Sequence, residues 1–480
     1  SFEDVGAFFG TGNSFDASGG RIGIFAYGDG TPGGQEIVGT PFGDYMAGAE
    51  FVAGSGNGAI FHGEGGNDYI DAAAGDDTLY GGEGNDILVP GTGDDMAFGE
   101  AGNDVFYFGN GAMTPVDAVT GGSGVDTLVL QGNYSAGLVL DGDVTEIEGI
   151  SLLAGTNTSF GDPGTNLYDY NITTDDANFA AGLQVRVNGS ALLAGEDFTF
   201  NGAAETDSSF VVYGGKGKDT LTGGLGNDIF FFSGDGRFAA GDRVDGGEGY
   251  DGLFLRGNYT LDLSIPGFAN AMQNMENMTL SSASDTRYAR GGGTEFDYTI
   301  VWGDGLLAEG GTLTVNGAGL QANETMNFDG TNEADGRLLI YAGAAADTLK
   351  GGSGDDVILG GGGADSITGN AGSDTFQYNR TSDSISGASD TINDFEHLID
   401  VIDLTRIDAN TLAAGNQGFS FIGANAFGGT GAASAGELRV YESGGTWFVE
   451  GDTNGDGTAD LVISVITTNA DPLDVGDFRL

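Results

Sequence analysis

From residue 63 to residue 107 one apolar side chain recurs every nine positions, at Ile70, Leu79, Leu88, Ala97 and Phe106, each set in glycine- and aspartate-rich sequence. A strand turns successive side chains to opposite faces, so a short x-U-x segment places one residue inward and its neighbours outward. The pattern predicts a stack of very short strands, each giving one residue to the core. The five tandem units read GEGGNDYID, AAAGDDTLY, GGEGNDILV, PGTGDDMAF and GEAGNDVFY. The frame returns at 214–231 (GGKGKDTLT GGLGNDIFF) and at 342–377 (AGAAADTLK GGSGDDVIL GGGGADSIT GNAGSDTFQ). Single units stand at 121–129 and 246–254. Between these blocks, 182–187 and 312–315 alternate apolar and polar residues and 198–202 ends in turn residues, so they read as further strands. Helix is scarce; 268–278 is the best short candidate, with Met272, Met275 and Met278 assigned to core packing. The aromatic clusters that close the blocks (Phe106, Tyr107 and Phe108; Phe230, Phe231 and Phe232; Phe376 and Tyr378) read as a widening or capping of the stack.

The polar half of each unit carries the chemistry. Asp holds the sixth place (Asp68, Asp77, Asp86, Asp95, Asp104) and Gly the fourth (Gly66, Gly75, Gly84, Gly93, Gly102). Glycine reaches positive φ at little steric cost, so the segment can turn sharply and expose its carbonyls. A carboxylate among clustered carbonyls is a cage of hard oxygens, which suits Ca²⁺. A flexible Gly/Asp linker would have no use for the apolar eighth place. The candidate ion ligands of the first block are Asp68, Asp77, Asp86, Asp95, Asp104, Asp117 and Asp126, with the backbone at Gly82 and Gly84. The second block offers Asp219, Asp228, Asp242 and Asp251. The third offers Asp347, Asp356, Asp365 and Asp374, with Gly352 and Gly354, and Asp390 and Asp400 follow it. Unit 342–350 has lost most of its glycines and reads as a half-site. The blocks differ in length, so the first and third should stack several ions and the second few.

These units resemble the repeats-in-toxin (RTX) motif G-G-x-G-x-D-x-U-x, which forms a calcium-binding parallel β-roll. In that family two nonapeptides make one turn, and units two apart share an ion. The resemblance implies that Asp68 stacks on Asp86 and Asp86 on Asp104 along one edge, with Asp77 on Asp95 along the other. Residues 378–480 resemble the C-terminal domain shared by serralysin-type proteases and other RTX exporters. The likeness rests on SDTF (373–376), SDTINDF (389–395), DVIDL (400–404), GEL (436–438) and GDTNGDGTAD (451–460). It implies a cap on the roll and an uncleaved signal for type I secretion. The terminal GDFRL (476–480) fits, although Arg479 departs from the family's apolar ending. Composition also resembles RTX surface-layer proteins.

Charge and composition narrow the picture. The chain has 480 residues, 71 acidic against 15 basic, and a net charge of −56. So lopsided a chain repels itself when compact unless cations neutralise it. No basic patch exists to displace counterions from phosphates, which excludes nucleic acid. The 93 glycines come with 39% hydrophobic residues and 31 Phe and show no G-X-Y period, so neither collagen nor general disorder fits. There are no cysteines, hence no disulfides and no thiolate chemistry. No apolar run approaches the roughly 20 residues that span a bilayer. The start shows no secretory signal peptide, and Ser1 fits either a removed initiator Met or a longer chain.

A longer repeat overlies the short one. GGSGVDTLVLQGNY (121–134) resembles GGEGYDGLFLRGNY (246–259), an offset of 125. YDYNI (168–172) resembles FDYTI (296–300), and VNG recurs at 187–189 and 315–317, offsets of 128. The expected order is N-terminal rungs (1–62), first ladder (63–129), variable β segment (130–213), second ladder (214–254), its variable β counterpart (255–341), third ladder (342–377), and cap with export signal (378–480). The expected fold is all-β, a parallel β-roll or β-solenoid with three calcium ladders and a β-rich C-terminal cap.

Catalytic motifs are missing. There is no H-E-x-x-H, no G-x-S-x-G and no phosphate-binding glycine loop. The two histidines, His62 and His397, read as structural. Asp452, Asn454 and Asp456 imitate an EF-hand start, but Ile463 stands where the bidentate Glu belongs, so a turn between strands is expected. Arg287 and Arg290 near Asp285 read as solvated loop charges before they read as a glycan-cleaving site. The expectation is therefore a non-enzymatic protein on the surface of a Gram-negative bacterium or outside it. It would fold on Ca²⁺ after type I export and polymerise with itself as a filament or surface layer, with cell-surface polysaccharide as a further partner. No nucleic-acid partner and no membrane insertion are expected. An adhesive region of a longer protein and a calcium-dependent polysaccharide-active enzyme remain the alternatives.

Overall fold

A computed structural model describes residues 23–25, 36–47, 58–160, 166–285, 295–432, 434–469 and 471–480. The chain divides into two compact units, Ser1–Phe230 with Gly246–Gly249, and Phe231–Asp245 with Tyr250–Leu480. Arg287 and Arg290 fall outside the described residues.

In the first unit successive nonapeptides alternate between two facing parallel sheets. One sheet stacks Gly23–Phe25, Tyr45–Ala47, Tyr69–Asp71, Ile87–Val89, Val105–Phe108, Thr127–Leu130, Gly149–Leu152, Gln184–Asn188 and Ser209–Tyr213 in that order. Opposite lie Glu36–Val38, Ile60–His62, Thr78–Glu83, Met96–Ala101, Ala118–Ser123 and Val144–Thr145. A further parallel set runs Tyr134–Val139, Tyr170–Thr173, Phe198–Asn201 and Asp219–Thr222. Tyr69 pairs with Ile87 and Thr78 with Met96, so units two apart stack as expected. The eighth-place residues Ile70, Leu79, Leu88, Ala97 and Phe106 are all buried. Each rung thus supplies little core of its own and relies on its neighbours, as solenoids do.

In-register parallel strands bring equivalent side chains to about 4.8 Å, which is ring-stacking distance. Tyr45 and Tyr69 stack at 5.0 Å, and His62, Tyr80 and Phe98 continue at 4.8 and 5.1 Å. His62 is therefore a stacking residue. At the block's end Phe106, Tyr107 and Phe108 are all buried, where an ordinary rung buries only the middle residue. Tyr107 stacks on Phe160 at 4.1 Å and donates to Gln131 Oε1 at 2.7 Å, so a second layer covers the outer face. The stack widens there, as the aromatic cluster predicts.

The second unit repeats the design. One parallel sheet runs Gly252–Arg256, Asn277–Leu280, Thr312–Asn316, Arg337–Tyr341, Val357–Leu359, Thr375–Gln377, Val401–Asp403 and Phe478–Arg479. The other runs Tyr259–Asp262, Tyr298–Val301, Met326–Asp329, Thr348–Lys350, Ser366–Thr368, Asp390–Phe395 and Leu461–Thr467. Thr446–Asp452 and Glu437–Ser443 then add antiparallel strands. The last strand of the chain lies as a rung on Val401–Asp403, and His397 Nδ1 meets Asp477 Oδ1 at 2.9 Å beside it. His397 is held, partly exposed, in this structural contact.

Residues 268–278 are not helical. A 3₁₀ turn at Pro266–Phe268 leads to strands Met272–Gln273 and Asn277–Leu280. Asn274 adopts a left-handed φ of 50°, which interrupts any helix. Pairing of Met278 with Leu253 decides the conformation, and Met272, Met275 and Met278 are buried as expected. Local helix preference yields here to strand pairing along the stack.

The long repeat holds in three dimensions. Glu196, fully buried, accepts N–H bonds from Gly155, Tyr168 and Leu193 at 2.7, 3.2 and 2.7 Å. Glu324, 128 positions on, accepts from Ala283, Phe296 and Gln321 at 2.7, 3.2 and 2.8 Å. Removing either carboxylate leaves three donors without it. Glu196→Ala and Glu324→Ala should each lower stability by about 3 kcal/mol or more, since each stranded buried donor costs about 1–3 kcal/mol. Urea unfolding in excess calcium measures it; losses under about 1 kcal/mol for both would contradict this role.

Candidate metal centre

Every candidate ligand aspartate of the three blocks, with Asp390 and Asp400, is buried, none more than 2% exposed. They are stacked by one recurring hydrogen bond. Asp86 Oδ1 accepts from the Asp68 N–H at 2.7 Å, Asp104 Oδ1 from Asp86 at 2.8 Å, and Asp126 Oδ1 from Asp104 at 2.7 Å. On the other edge Asp77 Oδ1 accepts from Ala59 at 2.6 Å, Asp95 from Asp77 and Asp117 from Asp95, both at 2.8 Å. In the second unit Asp365 accepts from Asp347, Asp374 from Asp356, Asp390 from Asp365 and Asp400 from Asp374, at 2.8 to 3.0 Å. Each carboxylate is pinned through one oxygen to the preceding turn.

The second oxygen is the informative one. Oδ2 of Asp68, Asp77, Asp86, Asp95, Asp104, Asp126, Asp365 and Asp374 is buried without a hydrogen-bond donor. Burying an ionised oxygen unpaired is costly unless a positive charge meets it. The first-place glycines leave the room beside it. A Cβ on Gly63, Gly81 or Gly99 would lie 2.5, 2.5 or 2.4 Å from the Oδ2 of Asp68, Asp86 or Asp104. Fourth-place glycines let turns approach each other: Gly84 has φ +137°, and a Cβ there would sit 1.4 Å from the Gly66 carbonyl oxygen. Gly82 is similar, with φ +105°. Gly352 and Gly354 are not in the left-handed region; space alone requires them, since a Cβ would come 2.8 Å from Glu333 O and 2.1 Å from Gly336 O. Repeated buried carboxylates with such cradles fit hard cations bound in a row.

Ladder ends are closed differently. Asp117 Oδ2 accepts from Thr114 N and Oγ1, Asp347 Oδ2 from Gly343, Asp356 Oδ2 from Gly352, and Asp400 Oδ2 from Glu396. Of the second block, Asp219 accepts from Gly215 and Asp228 from Phe210 and Gly224 in the first unit. In the second unit Asp242 accepts from Ala239, and Asp251 donates its N–H to Glu276.

Three ladder residues escaped the sequence reading. Asp44 Oδ2 accepts from Thr40, and its N–H donates to Asp68 Oδ1 at 2.5 Å. Glu148 and Glu276 receive the N–H of Asp126 and Asp251 at 2.6 and 2.7 Å. In each case an acid two residues before a buried apolar side chain (Met46, Ile150, Met278) was the available signal. The EF-hand-like run is a turn: Asp452 accepts from Gly455 and Gly457, and Asp456 from Thr458, between two hairpin strands.

Two families match the chain. The RTX calcium-binding nonapeptide repeat matches residues 53–88, 62–97, 91–112 and 211–236, and the serralysin C-terminal domain of peptidase family M10 matches 300–475. The chain carries RTX calcium-binding repeats and a serralysin-type C-terminal domain. Its nonapeptides bind multiple calcium ions, and together with the serralysin-type domain they mark a secreted protein. The serralysin match covers that family's C-terminal domain, not its protease domain. No curated protein matches the chain. Among the described residues no helix is long and apolar enough to cross a membrane.

In the RTX ladder without ions, burial pushes the carboxyls up, and like charges one turn away add to it. Asp68 and Asp104 rise to about 7, Asp95 and Asp374 to about 8, and Asp365 to about 9. Their ordinary value is 3.8, so between about pH 4 and pH 8 the native chain holds more protons than the unfolded one. Stability in EGTA should therefore fall as pH rises through this window. Calcium needs the deprotonated ligands, so its affinity rises over the same window and opposes the fall. In calcium-stripped buffer the β circular-dichroism signal should be larger near pH 5 than near pH 8, and excess calcium should abolish or reverse that order. A calcium-free β signal that grows from pH 5 to 8 would contradict the buried-carboxylate ladder.

Proposed function

We propose that this RTX protein is a structural polymer of the bacterial exterior, a filament or surface layer whose body is the calcium-folded roll itself. Its ligands are the ladder aspartates Asp68, Asp77, Asp86, Asp95, Asp104 and Asp126 in the first unit and Asp365, Asp374 and Asp390 in the second. The observation that carries the reading is the row of buried, donor-less carboxylate oxygens, one per turn, running with the strand stack. Calcium, when bound, supplies the positive charge those oxygens lack.

Export and folding are then linked by mass action. In a calcium-poor cytosol the carboxylates repel and the chain stays open for a type I exporter reading residues 378–480. Outside, a ligand that binds only the folded form stabilises it by RT ln(1 + [L]/Kd). With extracellular modules at a Kd of about 10⁻⁴–10⁻³ M, each site adds roughly 1 kcal/mol at a few times Kd. Summed over many linked sites, this decides whether the roll forms.

Two features support self-assembly. A parallel stack whose terminal strand is left open presents backbone donors and acceptors to another copy. Apolar side chains are also exposed in each unit: Phe42 and Tyr45 in the first at 51% and 42%, and Leu398 and Val475 in the second at 64% and 56%.

Circular dichroism with excess EGTA should show loss of the β signal; a spectrum unchanged from the calcium form would overturn calcium-coupled folding. Electron microscopy should show filaments or sheets only with calcium. Monodisperse monomers in millimolar calcium would sink the polymer reading while leaving the ladder intact. Deleting 378–480 should retain the protein inside the producing cell, as a comparison of medium and cell fractions would reveal.

A further inference from the structure

The first copy of the long repeat holds a carboxylate cluster that lies outside the sixth-place ladder. Glu205 is fully buried in the turn that follows Phe198–Asn201. Its Oε1 accepts N–H bonds from Asp207 and Ser208 at 3.2 and 3.0 Å. Its Oε2 is buried without any donor. Asp176, in the 3₁₀ turn Asp176–Asn178, and Asp207 each bring a carboxylate oxygen, and with one from Glu205 all three lie within 4.8 Å of one another. Asp176 is held in place through Oδ1, which accepts from Thr206 N at 2.8 Å and Thr206 Oγ1 at 2.6 Å. Asp176 and Asp207 are exposed, so an ion has a route in from solvent.

The second copy supplies an internal control. All three acids recur 128 positions on, as Asp304, Glu333 and Asp335. Glu333 repeats the Oε1 contacts, accepting from Asp335 and Gly336 at 3.4 and 2.9 Å. Its Oε2, however, accepts from the indole Nε1–H of buried Trp302 at 3.0 Å. The position equivalent to Trp302 in the first copy is Thr174, whose hydroxyl is directed to Asn201 O at 3.4 Å. One substitution between copies thus removes the donor and leaves the same buried oxygen bare. A bare ionised oxygen inside a fold is costly, and placing two more carboxylates beside it worsens the repulsion. A divalent cation removes both penalties at once, and three carboxylates form the hard, all-oxygen donor set that calcium takes.

We propose that Asp176, Glu205 and Asp207 form a calcium site of the first copy alone, separate from the nonapeptide ladder and replaced in the second copy by the Trp302–Glu333 hydrogen bond. The site is independent of whether the protein polymerises.

Equilibrium dialysis with radioactive calcium, on the full chain, counts bound ions. Asp176→Asn with Asp207→Asn alters two exposed side chains and should bind one ion fewer than the parent. Glu205→Gln should also lose one. Asp304→Asn with Asp335→Asn, the same change in the second copy, should keep the parent count. Circular dichroism in saturating calcium checks that each variant holds the same fold; if Glu205→Gln does not fold, the first double variant decides. An unchanged count in that variant, or an equal loss in the second-copy pair, overturns the site. A ladder that binds no calcium at all would instead strike at the family-level reading, since every variant would then give zero.

Discussion

The structure depends on a carboxylate used in two ways. One oxygen of each ladder aspartate accepts the N–H of the residue one turn earlier, which fixes the register between rungs. Within the ladders, away from their ends, the other oxygen is sealed from water without a donor. The first contact makes the stack possible, and the second makes it unstable alone. Each rung contributes essentially one inward side chain, such as Leu79 or Leu88. At about 1.5–3 kcal/mol per fully buried aliphatic side chain, that packing falls well short of the backbone entropy of a nine-residue unit. The fold therefore needs a charge supplied from outside the polypeptide. Its dependence on a cation follows from the thinness of its core.

The same geometry explains why so much was legible in the sequence. A strand with a single inward residue and a turn requiring glycine write themselves as a fixed nine-residue frame. The resemblance to the RTX family then implies that Asp68, Asp86 and Asp104 share one edge, and their hydrogen bonds place them there. What the frame hid were its own variants. Asp44 sits in GTPFGDYMA, where glycine has moved from the fourth to the fifth place. Glu148 and Glu276 replace Asp with a longer side chain that still reaches the N–H of the rung before. The backbone contact tolerates these changes, whereas a residue-by-residue pattern does not. The helix expected at 268–278 failed for the converse reason: methionines spaced by three look helical locally, but pairing of Met278 with Leu253 buries them as successive strand and turn positions.

Buried acids outside the ladder were not legible at all. Glu196 and Glu324 each gather three backbone donors from segments up to 41 residues away. Leu193 and Gln321 are local donors, but the other two of each trio lie 28 and 41 residues earlier, where nothing near the glutamate announces them. Only the superposition of the two long repeats identifies the role. The copies agree to about 0.1 Å in these three bonds, so the contact belongs to the rung architecture and not to one irregular loop.

The comparison between copies carries the last step. Glu205 and Glu333 occupy equivalent turns and hold the same oxygen in the same burial. In one copy a tryptophan reaches it, and in the other a threonine turns away. A neutral N–H and a divalent ion are alternative answers to one electrostatic problem, and they differ in what they make the rung depend on. The tryptophan-sealed turn is complete once the chain has folded. The carboxylate-lined turn is complete only where calcium is present. Distributed along a stack in which every rung leans on its neighbours, such choices set which turns close without calcium and which need it.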